Sequence, residues 1–158
     1  MSLRCSAVTL AVLLGAASAF PADRGEAKAT VAGKAVSIDY GRPSLQGRDM
    51  LARAEVGVAW RMGADSPTLL KTAAELSFGP GAVVAPGEYV LTATKTAPDK
   101  WQMNVKKASG EVVDVPLASK PLPESVETFT IELKGEKAKG DLALKWGKQA
   151  LTATFTGR

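Results

Sequence analysis

Apolar and polar residues alternate along most of the chain, and this alternation predicts strands. The segment "AVSIDYGRP" alternates in this way up to Tyr40. Because successive side chains of a strand point to opposite faces, a period of two indicates a half-buried strand. The segments "GEYVLTATK" and "WQMNVKK" show the same period and are separated by a proline and an aspartate. We expect these two segments to form a hairpin.

The C-terminal half predicts further strands of the same kind. Four segments there alternate apolar and polar residues: "EVVDVPL", "VETFTIEL", "DLALKW" and "QALTATFTG". We expect the last two to be joined by a tight turn around Gly147, since glycine tolerates the backbone angles of such turns. Three shorter apolar runs are expected to add strands: "PTLLKT", "AELSFG" and "GAVVAPG".

Helical signals are almost absent from the chain. Only "GRDMLARAEVG" carries helix-forming residues over any length, and it is too short for more than two or three turns. Short strands rich in Val and Thr, spaced by frequent turns, favour an all-β fold: an antiparallel β-sandwich or small barrel, with at most one short helix. We expect one β domain over residues 35–158, preceded by a polar leader over residues 20–34.

The first nineteen residues have the features of a secretory signal peptide. Arg4 precedes an uncharged run that ends in the small-residue pattern Ala17-Ser18-Ala19. We therefore expect cleavage after Ala19 and an exported protein, periplasmic or extracellular. The only cysteine, Cys5, lies inside this segment, so the mature chain would have no disulfide. No later apolar run is long enough for a membrane-spanning helix.

Composition excludes several kinds of site. The chain has no histidine, which rules out a Ser-His-Asp triad, a Cys-His pair and a two-His-one-carboxylate iron site. The formal net charge of +4 comes from opposite charges that are interspersed, so the pattern does not indicate a nucleic-acid surface. We assign no catalytic residue, no metal ligand and no cofactor from the sequence.

An ordered set of short motifs runs from about Val36 to the C-terminus. Its elements are "IDYGRPSLQGRDM", "VGVAWRMGADSPT", "APGEYVL", "WQMNVKK" and "LALKWGKQALTATF". In this order they resemble a family of exported bacterial proteins known as domain of unknown function 2911. Where that family shows Asn-Glu after Gly-Ala, this chain has Asp65 and Ser66. The resemblance implies no established activity.

The motifs supply a candidate ligand site. Arg42, Arg48 and Arg61 carry planar guanidinium groups that match carboxylates and phosphates, and Tyr40 and Trp60 offer aromatic faces beside them. Asp65 and Asn104 are the further candidates for polar contacts with a ligand. We therefore hypothesise an exported binding or accessory module for a small anion or saccharide.

Two other hypotheses remain open. Each arginine is more simply explained by an ion pair with a nearby acid, which would make the motifs structural and the protein an interaction domain without a ligand pocket. The acids available for this are Asp39, Asp49, Asp65 and Glu88. A carboxylate-based hydrolase, with Asp39 beside Glu88 or Asp65 as the acid and base, is the third hypothesis. Trp101 and Trp146 alternate with apolar residues and are expected to fill the core.

Overall fold

A computed structural model describes residues 23–158, which form ten strands and no helix. The predicted signal peptide lies outside the described residues. The strands are β1 (Arg24–Val31), β2 (Lys34–Gly41), β3 (Ala59–Trp60), β4 (Thr68–Thr72), β5 (Leu76–Ser77), β6 (Val83–Val84), β7 (Gly87–Ala97), β8 (Lys100–Lys107), β9 (Val112–Glu136) and β10 (Lys139–Gly157). The predicted all-β class is confirmed.

The strands form one large antiparallel sheet that is not closed into a barrel. Neighbouring strands follow the order β1-β2-β4-β7-β8-β9-β10-β5-β6, and β3 pairs with β7. The hairpin predicted from "GEYVLTATK" and "WQMNVKK" is β7 with β8. The three shorter apolar runs provide β4, β5 and β6.

The core lies between two parts of this sheet that face each other, β1 and β2 on one side and β9 and β10 on the other. Tyr40 on β2 packs its ring edge-on against Phe129 on β9, with ring centroids 5.5 Å apart. At the far end of β9, the backbone N–H of Ala32 donates to the carbonyl of Lys137 at 2.7 Å. The alternating residues of β8, Trp101 and Met103 among them, are buried as predicted.

Strand β1 lies in the stretch expected to be a polar leader. It pairs with β2 along its whole length, from Arg24 opposite Gly41 to Val31 opposite Lys34. Its inward positions include Ala27 and Val31, which are buried. Because its inward side chains are small, the alternation of apolar and polar residues in this strand is weak in the sequence. The strand nevertheless forms one edge of the sheet.

Two predicted chain breaks are wrong. The segments "EVVDVPL" and "VETFTIEL" belong to the single strand β9, which pairs first with β8 and then with β10. Pro121 and Pro123 lie beyond the part of β9 that pairs with β8. The absence of their N–H groups therefore costs no hydrogen bond between β8 and β9. The turn expected around Gly147 is instead an irregularity within β10, where the register shifts and Gly147 has a φ of 63°.

The segment with helix-forming residues makes only isolated turns. The backbone N–H of Arg53 bonds to the carbonyl of Asp49 at 3.1 Å, as in one turn of helix. The chain then reaches Val56, Gly57 and Val58, two β-branched residues around a glycine with a φ of 85°. These residues disfavour the helical conformation, so the turn does not propagate.

Candidate functional site

An aromatic cluster lies at the centre of the motif-bearing region. Trp60 stacks on Trp146 with ring centroids 5.8 Å apart and an interplanar angle of 18°. It also meets Phe129 edge-on at 5.0 Å and Trp101 edge-on at 6.5 Å. The side chain of Trp60 is half-buried, and one of its faces is covered by Trp146. Trp101 and Trp146 fill the core as predicted.

Tyr40 belongs to the same cluster. The residue is 4% exposed, and its hydroxyl lies 3.5 Å from the carbonyl oxygen of Ile131. The ring edge contacts Phe129. The structure therefore places the predicted stacking residues Tyr40 and Trp60 together, with most of their aromatic surface directed at the core.

The two main motifs cross backbone to backbone. A Cβ atom on Gly41 would lie 2.1 Å from the carbonyl oxygen of Ala64, and one on Gly63 would lie 2.9 Å from the carbonyl oxygen of Gly41. Such distances leave no room for a side chain at either position. The glycines of "YGRP" and "RMGAD" are therefore required by one close backbone contact between Gly41 and residues 63–64. This contact, the glycine crossing, brings the two motifs together.

The loop of residues 61–67 is tied down by hydrogen bonds to its own carbonyl groups. The buried hydroxyl of Thr68 donates to the carbonyl of Met62 at 2.7 Å. The guanidinium of Arg61 donates to the carbonyl of Asp65. Met62 and Asp65 both have positive φ, 54° and 62°, a conformation that is uncommon outside glycine. The loop is thus held in one conformation by two independent hydrogen bonds.

Arg24 on β1 adds a further tie that sequence reasoning missed. Its Nε donates to Asp39 at 2.8 Å, and its terminal nitrogens approach the carbonyls of Ser66 and Pro67 at 3.4 and 3.3 Å. In the sequence, the only sign that Arg24 belongs to a strand was a weak alternation of apolar and polar residues. Arg24 therefore links the first strand to the loop that follows Arg61.

The other predicted acids have partners as well. Glu88 pairs with Lys71 at 3.1 Å, and the carboxylate of Asp49 accepts the backbone N–H of Ala52 at 3.1 Å. Asp39 and Glu88 are thus each paired with a cation, Asp39 with Arg24 and Glu88 with Lys71.

The three predicted arginines occupy different environments. Arg42 is half-buried, and its stem passes over Gly25, where a Cβ atom would lie 2.6 Å from the arginine Cδ. Its Nε is buried and has no hydrogen-bond partner among residues 23–158. Arg61 is exposed, and its loop meets the end of β2, next to Arg42, where Gly41 contacts Ala64. Arg48 is exposed on a separate loop, where neighbouring Gln46 donates its N–H to Glu127 at 3.1 Å.

Asn104 lies away from the arginines, on the polar face of β8. Its side-chain oxygen accepts from Thr94 at 2.8 Å, and its amide nitrogen donates to Asp114 at 2.7 Å. Thr92 also lies 3.4 Å from the same oxygen. The side chain thereby bridges three neighbouring strands, β7, β8 and β9.

The part of the chain that the structure describes contains neither a cluster of metal ligands nor a membrane-spanning helix. Between residues 23 and 158, no three or more acidic or cysteine side chains group together in a way that could hold a metal ion. Over the same range, no helix has the length and apolarity needed to cross a membrane.

Comparison with known proteins identifies the family. Neither the curated proteins nor the solved structures include a match to this chain. The family model described as "Protein of unknown function (DUF2911)" matches residues 22–155, a range that contains both the glycine crossing and the aromatic cluster. The chain therefore belongs to the DUF2911 family.

Proposed function

We propose that this protein is a binding module in which Arg42 receives a small oxyanion, such as a phosphate or a carboxylate. The observation that carries the proposal is the buried Nε of Arg42, which has no hydrogen-bond partner among the described residues. A buried donor without a partner costs about 1–3 kcal/mol. An anion bound at the planar fork of the guanidinium would remove that cost once the groups that cover Nε move aside and let it accept from this donor.

The neighbourhood of Arg42 supports the proposal in a second way. Among residues 23–158, five non-glycine residues have positive φ, and two of them, Ala32 and Lys137, lie in the turns between paired strands. The other three are Gln46, Met62 and Asp65, all in the loops that carry the arginines. Unusual backbone conformations concentrate at binding sites, where the surrounding structure holds them in place. The loops that carry Arg42, Arg48 and Arg61, the arginine loops, contain such conformations.

The predicted signal peptide would place this site outside the cytoplasm. Export is part of the proposal. An exported module would meet free phosphate, sulfate or the carboxylates of acidic sugars, and all of these offer oxygens that match a guanidinium.

An interaction domain is the second candidate, favoured by one observation. Met50, Val56 and Val58 are 42%, 55% and 56% exposed on the segment that precedes Trp60. Exposed apolar side chains on one segment are typical of a surface that contacts another protein. In that case the glycine crossing and Arg24 would only hold the segment in position.

Substituting Arg42 with lysine separates these candidates. Lysine keeps the positive charge but loses both the Nε donor and the fork, so we expect the affinity for phosphate to fall by about tenfold. Isothermal titration of the mature protein with phosphate, sulfate and acetate measures this. Arg53→Lys, an exposed arginine in the neighbouring segment, is the matched control and should bind as the parent does.

Thermal unfolding gives an independent check on the same site. A ligand present at a hundred times its dissociation constant stabilises the native state by about 2.7 kcal/mol. If none of the three anions raises the unfolding temperature of the parent protein, the oxyanion function is wrong and the interaction domain becomes the better account.

A further inference from the structure

A groove of about 770 Å³ opens at the far end of the β9–β10 hairpin, where this hairpin meets β5. We propose that this groove binds a short neutral oligosaccharide. Its volume lies within the range of about 300–1,000 Å³ that is usual for small-molecule sites. The lining residues that matter for the argument are Phe78, Lys134, Glu136, Lys139, Asp141 and Thr154.

Close backbone packing shapes the floor of the groove. A Cβ atom on Gly140 would lie 2.3 Å from the ring of Phe155, and one on Gly135 would lie 2.2 Å from the carbonyl oxygen of Thr30. The chain can approach these neighbours only because both positions are glycine. Phe78 packs against Phe155 with ring centroids 5.2 Å apart and is itself half-buried, so part of an aromatic ring borders the groove.

The charges on the lining are balanced. Lys134 stands directly opposite Asp141 in the ladder, and Glu136 stands opposite Lys139. All four side chains are exposed. Two ammonium groups face two carboxylates, so the lining favours neither an anion nor a cation. This distinguishes the groove from the arginine loops.

Balanced donors and acceptors beside an aromatic ring suit a sugar. Each sugar hydroxyl both donates and accepts hydrogen bonds, as the hydroxyl of Thr154 also does. The ammonium groups supply donors, the carboxylates supply acceptors, and Phe78 offers an apolar surface for the C–H groups of a pyranose ring.

A second cavity adjoins the groove along β9 and β10. A second hollow of about 280 Å³ shares Lys134, Asp141 and Thr154 with the first. It extends the lining along β9 and β10 to Lys145, which pairs with Glu132 at 2.9 Å. Two adjoining hollows fit a chain of linked sugars better than a single monosaccharide.

Asp141→Asn tests the proposal with three neutral probes: cellotetraose, maltotetraose and chitotetraose. Asparagine preserves the shape but removes the charge and one acceptor, so the dissociation constant for the bound probe should rise by about tenfold. Asp99→Asn, an exposed aspartate in the β7–β8 turn, is the matched control and should leave binding unchanged. Titration followed by NMR or calorimetry measures both.

The outcomes separate this site from the oxyanion site. Oligosaccharide binding that is weakened by Asp141→Asn and unaffected by Arg42→Lys supports the groove, whether or not phosphate binds. The absence of binding for all three probes at millimolar concentration overturns it. Binding that neither Asp141→Asn nor Lys139→Ala weakens also overturns it, because the probe then lies elsewhere.

Discussion

Gly41→Ala should destabilise the protein by about 3 kcal/mol, at the upper end of the usual cost of overpacking. The added methyl group would lie 2.1 Å from the carbonyl oxygen and 2.8 Å from the backbone nitrogen of Ala64. Neither atom can move away by a side-chain rotation, so the two motif segments must separate. Denaturant unfolding monitored by tryptophan fluorescence measures the change in the free energy of unfolding.

Gly33→Ala is the matched control for this substitution. Gly33 has a φ of 73°, and a Cβ atom there would meet nothing within 4 Å. Its cost should be limited to the left-handed backbone strain of alanine, about 1–2 kcal/mol. Equal losses at Gly33 and Gly41 would contradict the backbone crossing as the reason for the motif glycine.

Phe129→Ala should cost about 3–5 kcal/mol, the range found when a large buried aromatic side chain is truncated. Phe129 is fully buried and contacts the rings of Tyr40, Trp60 and Trp146. Its removal would leave a cavity between β2 and β9 and withdraw an edge contact from Trp60. The free energy of unfolding and the near-ultraviolet circular dichroism of the tryptophans report the two effects.

Phe129→Leu keeps most of the apolar volume and provides the comparison. It should cost clearly less than the alanine variant while still losing the ring contacts. If both variants unfold at the same denaturant concentration as the parent protein, the aromatic cluster does not hold β2 and β9 together.

Alternation in the sequence predicted the all-β class because most strands bury one face. The β7–β8 hairpin shows why: Leu91 and Met103 are buried, while Thr92 and Asn104 on the opposite face are not. The same reasoning divided β9 at its prolines and β10 at Gly147. Whether such residues end a strand or only bend it depends on which neighbour is paired there, and a local pattern does not contain that information.

The candidate site was predictable in part. The motifs "YGRP" and "AWRMGADSPT" were grouped from the sequence, and the glycine crossing places them in contact. The role of Arg24 was missed because its strand has small inward residues, and its partners Asp39 and Ser66 are distant in sequence. The groove was missed because its lysines, threonines and glycines form no distinctive pattern until the hairpin folds.

The central claim is that Arg42 presents an unsatisfied donor to an oxyanion, and NMR of protein labelled with ¹⁵N-arginine tests it most directly. The Nε–H signal of Arg42, assigned by its loss in Arg42→Lys, should move progressively as phosphate is added. The corresponding signal of the exposed Arg53 should stay in place. An Arg42 signal that does not move up to millimolar phosphate, or that moves no more than the Arg53 signal, would contradict the account.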